Sequence, residues 1–178
     1  MQNKTIKHRN LQRICAALWF GAVLWATVPS AGAVEEGKPA PSIEARLLDG
    51  KPFSLSAESG HVVIVHFWAT WCAPCRLEMP VLEKYYRQHQ AEGVRILAIS
   101  MDDPADDGKV REIMRAFSYS AALQRDVHFK GYGRIWRMPM TFVIDRQGVL
   151  RRDGGVGEST IDASTLDAIV TPLLDNTH

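Results

Sequence analysis

The sequence predicts an α/β domain with a mixed central sheet flanked by helices on both faces. Three observations carry that expectation. Val62–Trp68 (VVIVHFW) and Val94–Ser100 (VRILAIS) are runs of β-branched and other apolar residues of the kind found in strands buried on both sides. A stretch with helical spacing separates them, as in a parallel β-α-β unit. Asp49-Gly50 and Gln147-Gly148, each set between apolar segments, signal one hairpin before that unit and one after it.

The elements follow in chain order. Residues 34–41 are polar and contain prolines, a lead-in to the folded domain. Residues 42–55 form the early hairpin around Asp49-Gly50. After the first buried strand, residues 74–90 place Leu77, Val81, Leu82, Tyr85 and Tyr86 at helical spacing, and Gly93 closes the helix. The second buried strand leads into an acidic loop at 102–107. Residues 109–117 then read as a helix with Val110, Ile113, Met114 and Phe117 on one face. A short strand near 121–123 and a helical stretch over 127–136, with Tyr132 and Trp136 facing the core, fill the next interval. The late hairpin pairs 140–145 with 149–152. A helix over 161–174, interrupted or ended near Pro172, closes the chain.

The chain divides into residues 1–33, a signal peptide or an uncleaved anchor, and one domain over 34–178. Lys4, Lys7, Arg9 and Arg13 precede the uncharged run 14–28, Pro29 and Ser30 break it, and Ala31-Gly-Ala33 fits cleavage after Ala33. The run has 15 residues, shorter than the roughly 20 of a membrane span. Whole-chain charge is +1 from 21 basic and 20 acidic residues. Removing four basic residues and no acid leaves 17 against 20, or −3. Such a domain has no electrostatic footprint for nucleic acid. Cys15 goes with the leader, so the domain keeps only Cys72 and Cys75. A bridge closing so short a loop constrains the unfolded chain little, so chemistry explains the pair better than stability does.

Trp71-Cys72-Ala73-Pro74-Cys75 stands where a buried strand gives way to a helix. The first sulfur of such a pair lies at the helix N-terminus, where free N–H groups and the positive dipole end stabilise a thiolate. Cys72 is then the attacking sulfur and Cys75, one turn on, the resolving thiol. Pro74 suits the first helical turn because it has no donor to lose. A zinc half-site is the rival, but it needs a second ligand pair. The histidines of the domain (His61, His66, His89, His128 and His178) are scattered and no further cysteine remains.

The segment 67–80 (FWATWCAPCRLEMP) resembles the active-site segment of TlpA/ResA-like thioredoxin-family thiol:disulfide oxidoreductases. The resemblance runs from about Gly37 to Leu174 and takes in Leu47-Leu-Asp-Gly-Lys51 and Met138-Pro139-Met-Thr-Phe-Val-Ile-Asp145. It implies a thioredoxin fold with an N-terminal hairpin and a βα insertion. It also implies a cis Pro139 facing the cysteines, with Met138 presenting its backbone edge to an extended substrate. Where many relatives have Val-Pro-Thr, this chain has Met138-Pro139-Met140. Trp71 is expected to be a partly exposed contact residue, with Trp68 packed around the site. Glu78 matches an acidic residue of the branch, which implies proton transfer to or from Cys75. Helix position alone would make Glu78 a solvated first-turn glutamate. His66 matches the buried acidic position of ordinary thioredoxins, and reads either as a hydrogen-bonded core residue or as a modulator of the site.

The expected function is a periplasmic thiol:disulfide oxidoreductase, a reductase of protein disulfides needing no cofactor beyond the Cys72–Cys75 pair. A membrane electron donor would recharge it in an oxidising compartment. The resemblance points to cytochrome c maturation or copper-oxidase assembly, with a monomeric protein. The alternative is a copper-binding chaperone on the same fold, but such chaperones usually carry Cys-x-x-x-Cys. A peroxidase of the peroxiredoxin group needs a Pro/Thr frame that Cys72 lacks.

Overall fold

The structure is a computed structural model describing residues 34–175, so the expected leader and Cys15 lie outside the described residues. The elements are β1 (Glu44–Leu47), β2 (Pro52–Ser54), β3 (Val62–Trp68), α1 (Ala73–His89), β4 (Val94–Ser100), α2 (Asp107–Met114), β5 (Ser120–His128), β6 (Met140–Ile144), β7 (Leu150–Arg152), α3 (Ala163–Ile169) and α4 (Thr171–Leu174). They form one seven-stranded sheet in the order β2-β1-β5-β4-β3-β6-β7. The pairs β3/β4 and β4/β5 are parallel and the others antiparallel. This is the expected mixed sheet, with α2 and β5 inserted between the β3-α1-β4 unit and the closing β6-β7-α3 unit.

Strand alternation sorts the core into two layers. Val62, Ile64 and Trp68 face α1 with Ile96 and Ala98, while Val63, Val65 and Phe67 face the opposite layer with Leu97 and Ile99. Buried side chains of all four α-helices belong to the first layer, among them Met79, Leu82, Val110, Leu166 and Leu174. The second layer is closed by the lead-in, the first hairpin, a 3₁₀ turn at Leu55–Glu58 and the segment 129–135. Helices on both faces were expected, so the second face is a correction.

Its cause lies in the segment expected to be helical at 127–136. No helix forms there. β5 continues to His128 because β1 pairs with its second half, Ala45 opposite Val127 and Glu44 opposite His128. Beyond it, Gly131 and Gly133 take φ of +106° and +73°, left-handed conformations that break a helix. The loop still buries Tyr132, whose ring meets Phe142 edge-on at 5.0 Å and whose hydroxyl donates to the Pro41 carbonyl at 3.0 Å. Trp136, expected in the core, is instead 65% exposed, with the Arg137 guanidinium 5.1 Å from its ring centroid.

The other boundaries follow local chemistry. In the first hairpin Asp49 Oδ1 accepts from Lys51 N–H at 3.0 Å, and in the second Asp145 Oδ1 accepts from Gln147 and Val149 N–H, each at 2.9 Å. The closing helix is split at Val170, with Asp162 capping α3 through Thr165 N–H at 2.8 Å and Pro172 in the first turn of α4. No helix among the described residues is long and apolar enough to cross a membrane.

Candidate active site

β3 ends at Trp68 and three residues carry the chain to Cys72, the N-cap of α1. Asp102, just past β4, holds that link in place. Its carboxylate accepts from Thr70 N–H at 2.9 and 3.1 Å, from Thr70 Oγ1 at 2.6 Å and from Ser100 Oγ at 2.8 Å. The three bonds from Thr70 to a buried carboxylate, itself tied to Ser100 of β4, fix the loop that presents Trp71 and Cys72. In the sequence Asp102 was one acid of an acidic loop; its pairing to a residue 32 positions away is tertiary information.

Cys72 and Cys75 form a disulfide, and Cys75 N–H donates to Cys72 Sγ at 3.3 Å. Cys72 retains 5% exposure and Cys75 none. Residues three apart share a helix face, so the two sulfurs meet, with Cys72 at the end of α1 and Cys75 one turn further in. Trp71 stands in solvent at 69% exposure, more than the partial exposure expected, while Trp68 is fully buried. The Met138–Pro139 peptide is cis, with Met138 half-buried and Pro139 buried.

Two residues left ambiguous by the sequence meet one helical turn past Cys75. Glu78, on the next turn of α1 after Cys75, is only 4% exposed, so it is no solvated first-turn glutamate. Its Oε1 accepts from Ile161 N–H at 2.6 Å, and its Oε2 lies 3.7 Å from His66 Nδ1. Burial raises the Glu78 carboxyl from 4.5 to about 7, against the opposing effects of the Ile161 N–H and the Arg152 charge. His66, fully buried on the α1 face of β3, is hydrogen-bonded to Thr141 Oγ1 at 3.0 Å. Burial pushes its imidazole down to about 3, so it is neutral at physiological pH.

Gly154, which no sequence signal singled out, lets the chain after β7 close over the start of β6. A Cβ there would lie 2.5 Å from Thr141 N, too close for any other residue. Its carbonyl accepts from Arg137 Nη2 at 3.1 Å, tying the loop to the segment before Pro139. A groove of about 270 Å³ is lined by Pro74, Leu77, Glu78, Val81, Ile161 and Thr165.

The raised Glu78 carboxyl has a stability consequence. Between about pH 4.5 and 7 the folded state holds this proton and the unfolded chain does not, so rising pH costs stability across that window. Glu78→Gln keeps an acceptor for Ile161 N–H and cannot ionise. We expect the variant to be more stable than the parent at pH 8, by up to about 3 kcal/mol, and nearly equal at pH 4. Urea unfolding at the two pH values checks this.

The arrangement can exchange a disulfide for two thiols through Cys72, the less buried of the pair, with a carboxyl one helical turn past Cys75. Similar proteins agree with that chemistry. The profile of the AhpC/TSA family matches residues 36–153. The thioredoxin-like protein YneN of Bacillus subtilis is 32% identical over 132 residues, 71% of this chain and 75% of that protein. The thiol-disulfide oxidoreductase ResA of Geobacillus thermodenitrificans is 32% identical over 123 residues, 67% of this chain and 69% of that protein. A thioredoxin-family thiol:disulfide interchange protein from Chlorobium tepidum superposes with a TM-score of 0.64 at 29% identity, covering 80% of this chain and 99% of that one. With the family profile, the relatives and the Cys72–Cys75 disulfide in agreement, the chain belongs to the AhpC/TSA family and is a thioredoxin-fold thiol-disulfide oxidoreductase of the ResA-like kind.

Proposed function

We propose that this oxidoreductase reduces protein disulfides on the outer side of the cytoplasmic membrane. The observation that carries the reading is the pairing of Cys72, which keeps 5% exposure at the end of α1, with a fully buried Cys75 that has a buried carboxyl on the next helical turn. Cys72 thiolate attacks an exposed client disulfide and forms a mixed disulfide. Cys75 passes its proton to Glu78 and displaces the client thiolate, which leaves Cys72–Cys75 oxidised. No cofactor beyond the two cysteines enters this cycle. The client lies along the backbone edge at Met138 beside Pro139, as an added extended strand. Trp71, Leu77, Trp136 and Val156, all more than 60% exposed, supply apolar contact around it.

The basic and apolar N-terminus supports export to the periplasm, with residues 1–33 as signal peptide or anchor. A membrane electron donor then returns the pair to the dithiol, and the protein acts as a monomer. Haem-attachment cysteines of cytochrome c, or copper-site cysteines of an oxidase, are the clients that fit a periplasmic reductase. The test uses the pre-reduced full chain and a peptide carrying an oxidised Cys-x-x-Cys-His segment. The reading predicts one peptide disulfide reduced per chain, with Cys72–Cys75 oxidised in step. A peptide left oxidised by the dithiol form would contradict it.

A further inference from the structure

His66 has no part in the cycle just described, yet its imidazole lies against Glu78, one helical turn past Cys75. Its Nδ1 lies 3.0 Å from Thr141 Oγ1 and 3.7 Å from Glu78 Oε2. Its Nε2 and Glu78 Oε2 are buried with no hydrogen-bond partner among the described residues. The β3/β6 register sets His66 directly opposite Thr141, two residues past Pro139. Three chemistry-bearing groups thus converge from β3, β6 and α1.

The position of the ring proton decides what this cluster does. With the proton on Nε2, Thr141 donates to Nδ1 and a lone pair faces Glu78. With the proton on Nδ1, that N–H donates to Thr141 Oγ1 and turns its positive end toward Oε2 as well. An ionised Glu78 favours the second arrangement, because Oε2 has no other donor among the described residues.

We propose that His66 is a positioning residue of the thiol–disulfide reaction, its Nδ1–H, held by Thr141, keeping Glu78 available as the carboxylate that takes the proton of Cys75. The inference rests on the reading of Cys75 as the resolving sulfur. In the step concerned, Glu78 accepts the Cys75 proton and the thiolate attacks Cys72 Sγ. The Cys72–Cys75 bond forms, the Cys72–client bond breaks, and the client sulfur leaves with the electron pair and takes the proton back from Glu78. No other oxidant or reductant is needed.

The charges around Glu78 fix the sign of the effect. His66 faces it from β3, Arg152 acts on it from β7, Cys75 shares α1, and Glu158 and Asp162 line the same groove. Burial already favours the protonated carboxyl, and His66 is neutral, so His66 contributes an N–H dipole and not a charge. Removing that dipole makes Glu78 hold its proton to higher pH, and resolution then slows on the acid side.

The test reads the wild-type full chain, His66→Leu and His66→Asn, whose amide N–H can stand near the place of Nδ1–H. Imidazole ¹⁵N shifts report the His66 tautomer, a carboxyl ¹³C titration reports Glu78, and the decay of a Cys72 mixed disulfide reports resolution. We expect the Nδ1–H tautomer in the wild type. In His66→Leu the Glu78 midpoint should rise by about one unit, with resolution about tenfold slower near pH 6 and unchanged near pH 9. His66→Asn should stay within about threefold of wild type. An Nε2–H tautomer, or equal Glu78 midpoints in His66→Leu and wild type, would overturn the proposal. The tautomer and the titration need no client, so they fail separately from the reading of Cys75. Flat wild-type resolution across the same pH range would remove Glu78 as the acceptor of the Cys75 proton, and the proposal with it, whereas equal mixed-disulfide trapping by Cys72→Ser and Cys75→Ser would overturn the reading of Cys75.

Discussion

Cys75→Ser, in a Cys15→Ser background, is expected to accumulate mixed disulfides with client proteins through Cys72, while Cys72→Ser accumulates none. The asymmetry comes from burial and helix position. Cys72 is the N-cap of α1 and keeps 5% exposure, whereas Cys75 is fully buried behind it. Of the two, Cys72 is the one with surface to offer a client sulfur. Once the mixed disulfide forms, Cys75 lies one helical turn away and resolves it within the molecule, a large advantage in effective concentration. Without Cys75 the complex waits for exchange from solution, on a scale of minutes to hours. Its lifetime should rise by about 10³-fold or more. Non-reducing electrophoresis of the two variants after exposure to client proteins checks this, and equal trapping would reverse the assignment of attacker and resolver.

Both hairpins, the two buried strands and α1 were legible in the sequence because local chemistry dictates them. Val62–Trp68 can bury seven consecutive side chains only in a central strand, and Asp49-Gly50 and Gln147-Gly148 carry their turns wherever they stand. The cysteine pair was legible for the same reason, since strand, Cys-x-x-Cys and helix are contiguous. What misled was the interval after β5. Residues 127–136 hold apolar spacing suited to a helix, but pairing of β5 with the distant β1 extends the strand, and Gly131 and Gly133 take left-handed turns. Trp136 consequently points to solvent and not into the core.

The site's polar residues show where local reading ends. Glu78 reads equally as a surface or a buried residue, because its burial comes from Ile161, 83 positions on. Asp102 was hidden in an acidic run, and its partner Thr70 lies across the sheet end. Gly154 acts by close approach to Thr141, a contact with no sequence signature. In each case the deciding neighbour is remote in the chain.

The reducing character of the Cys72–Cys75 couple is the second large effect expected, and the account depends on it. A dithiol is a poor reductant when its thiolate is strongly stabilised, as in DsbA at roughly −120 mV, against roughly −270 mV for thioredoxin. The difference is about 7 kcal/mol for two electrons, or about 10⁵ in the exchange equilibrium. Here Cys72 has the helix N-terminus and little else. Ala73 and Pro74 add no charge, and Arg76 is exposed, where water and salt screen it. His66, which as an imidazolium would favour a thiolate, is kept neutral by burial. Glu78 opposes a second negative charge beside Cys75 whenever it is ionised. Equilibration of the full chain with reduced and oxidised glutathione, read by alkylation of Cys72 and Cys75, measures the potential directly. The account predicts a value within about 30 mV of thioredoxin's. A value near DsbA's would make the protein an oxidant of thiols and contradict the proposed reductase.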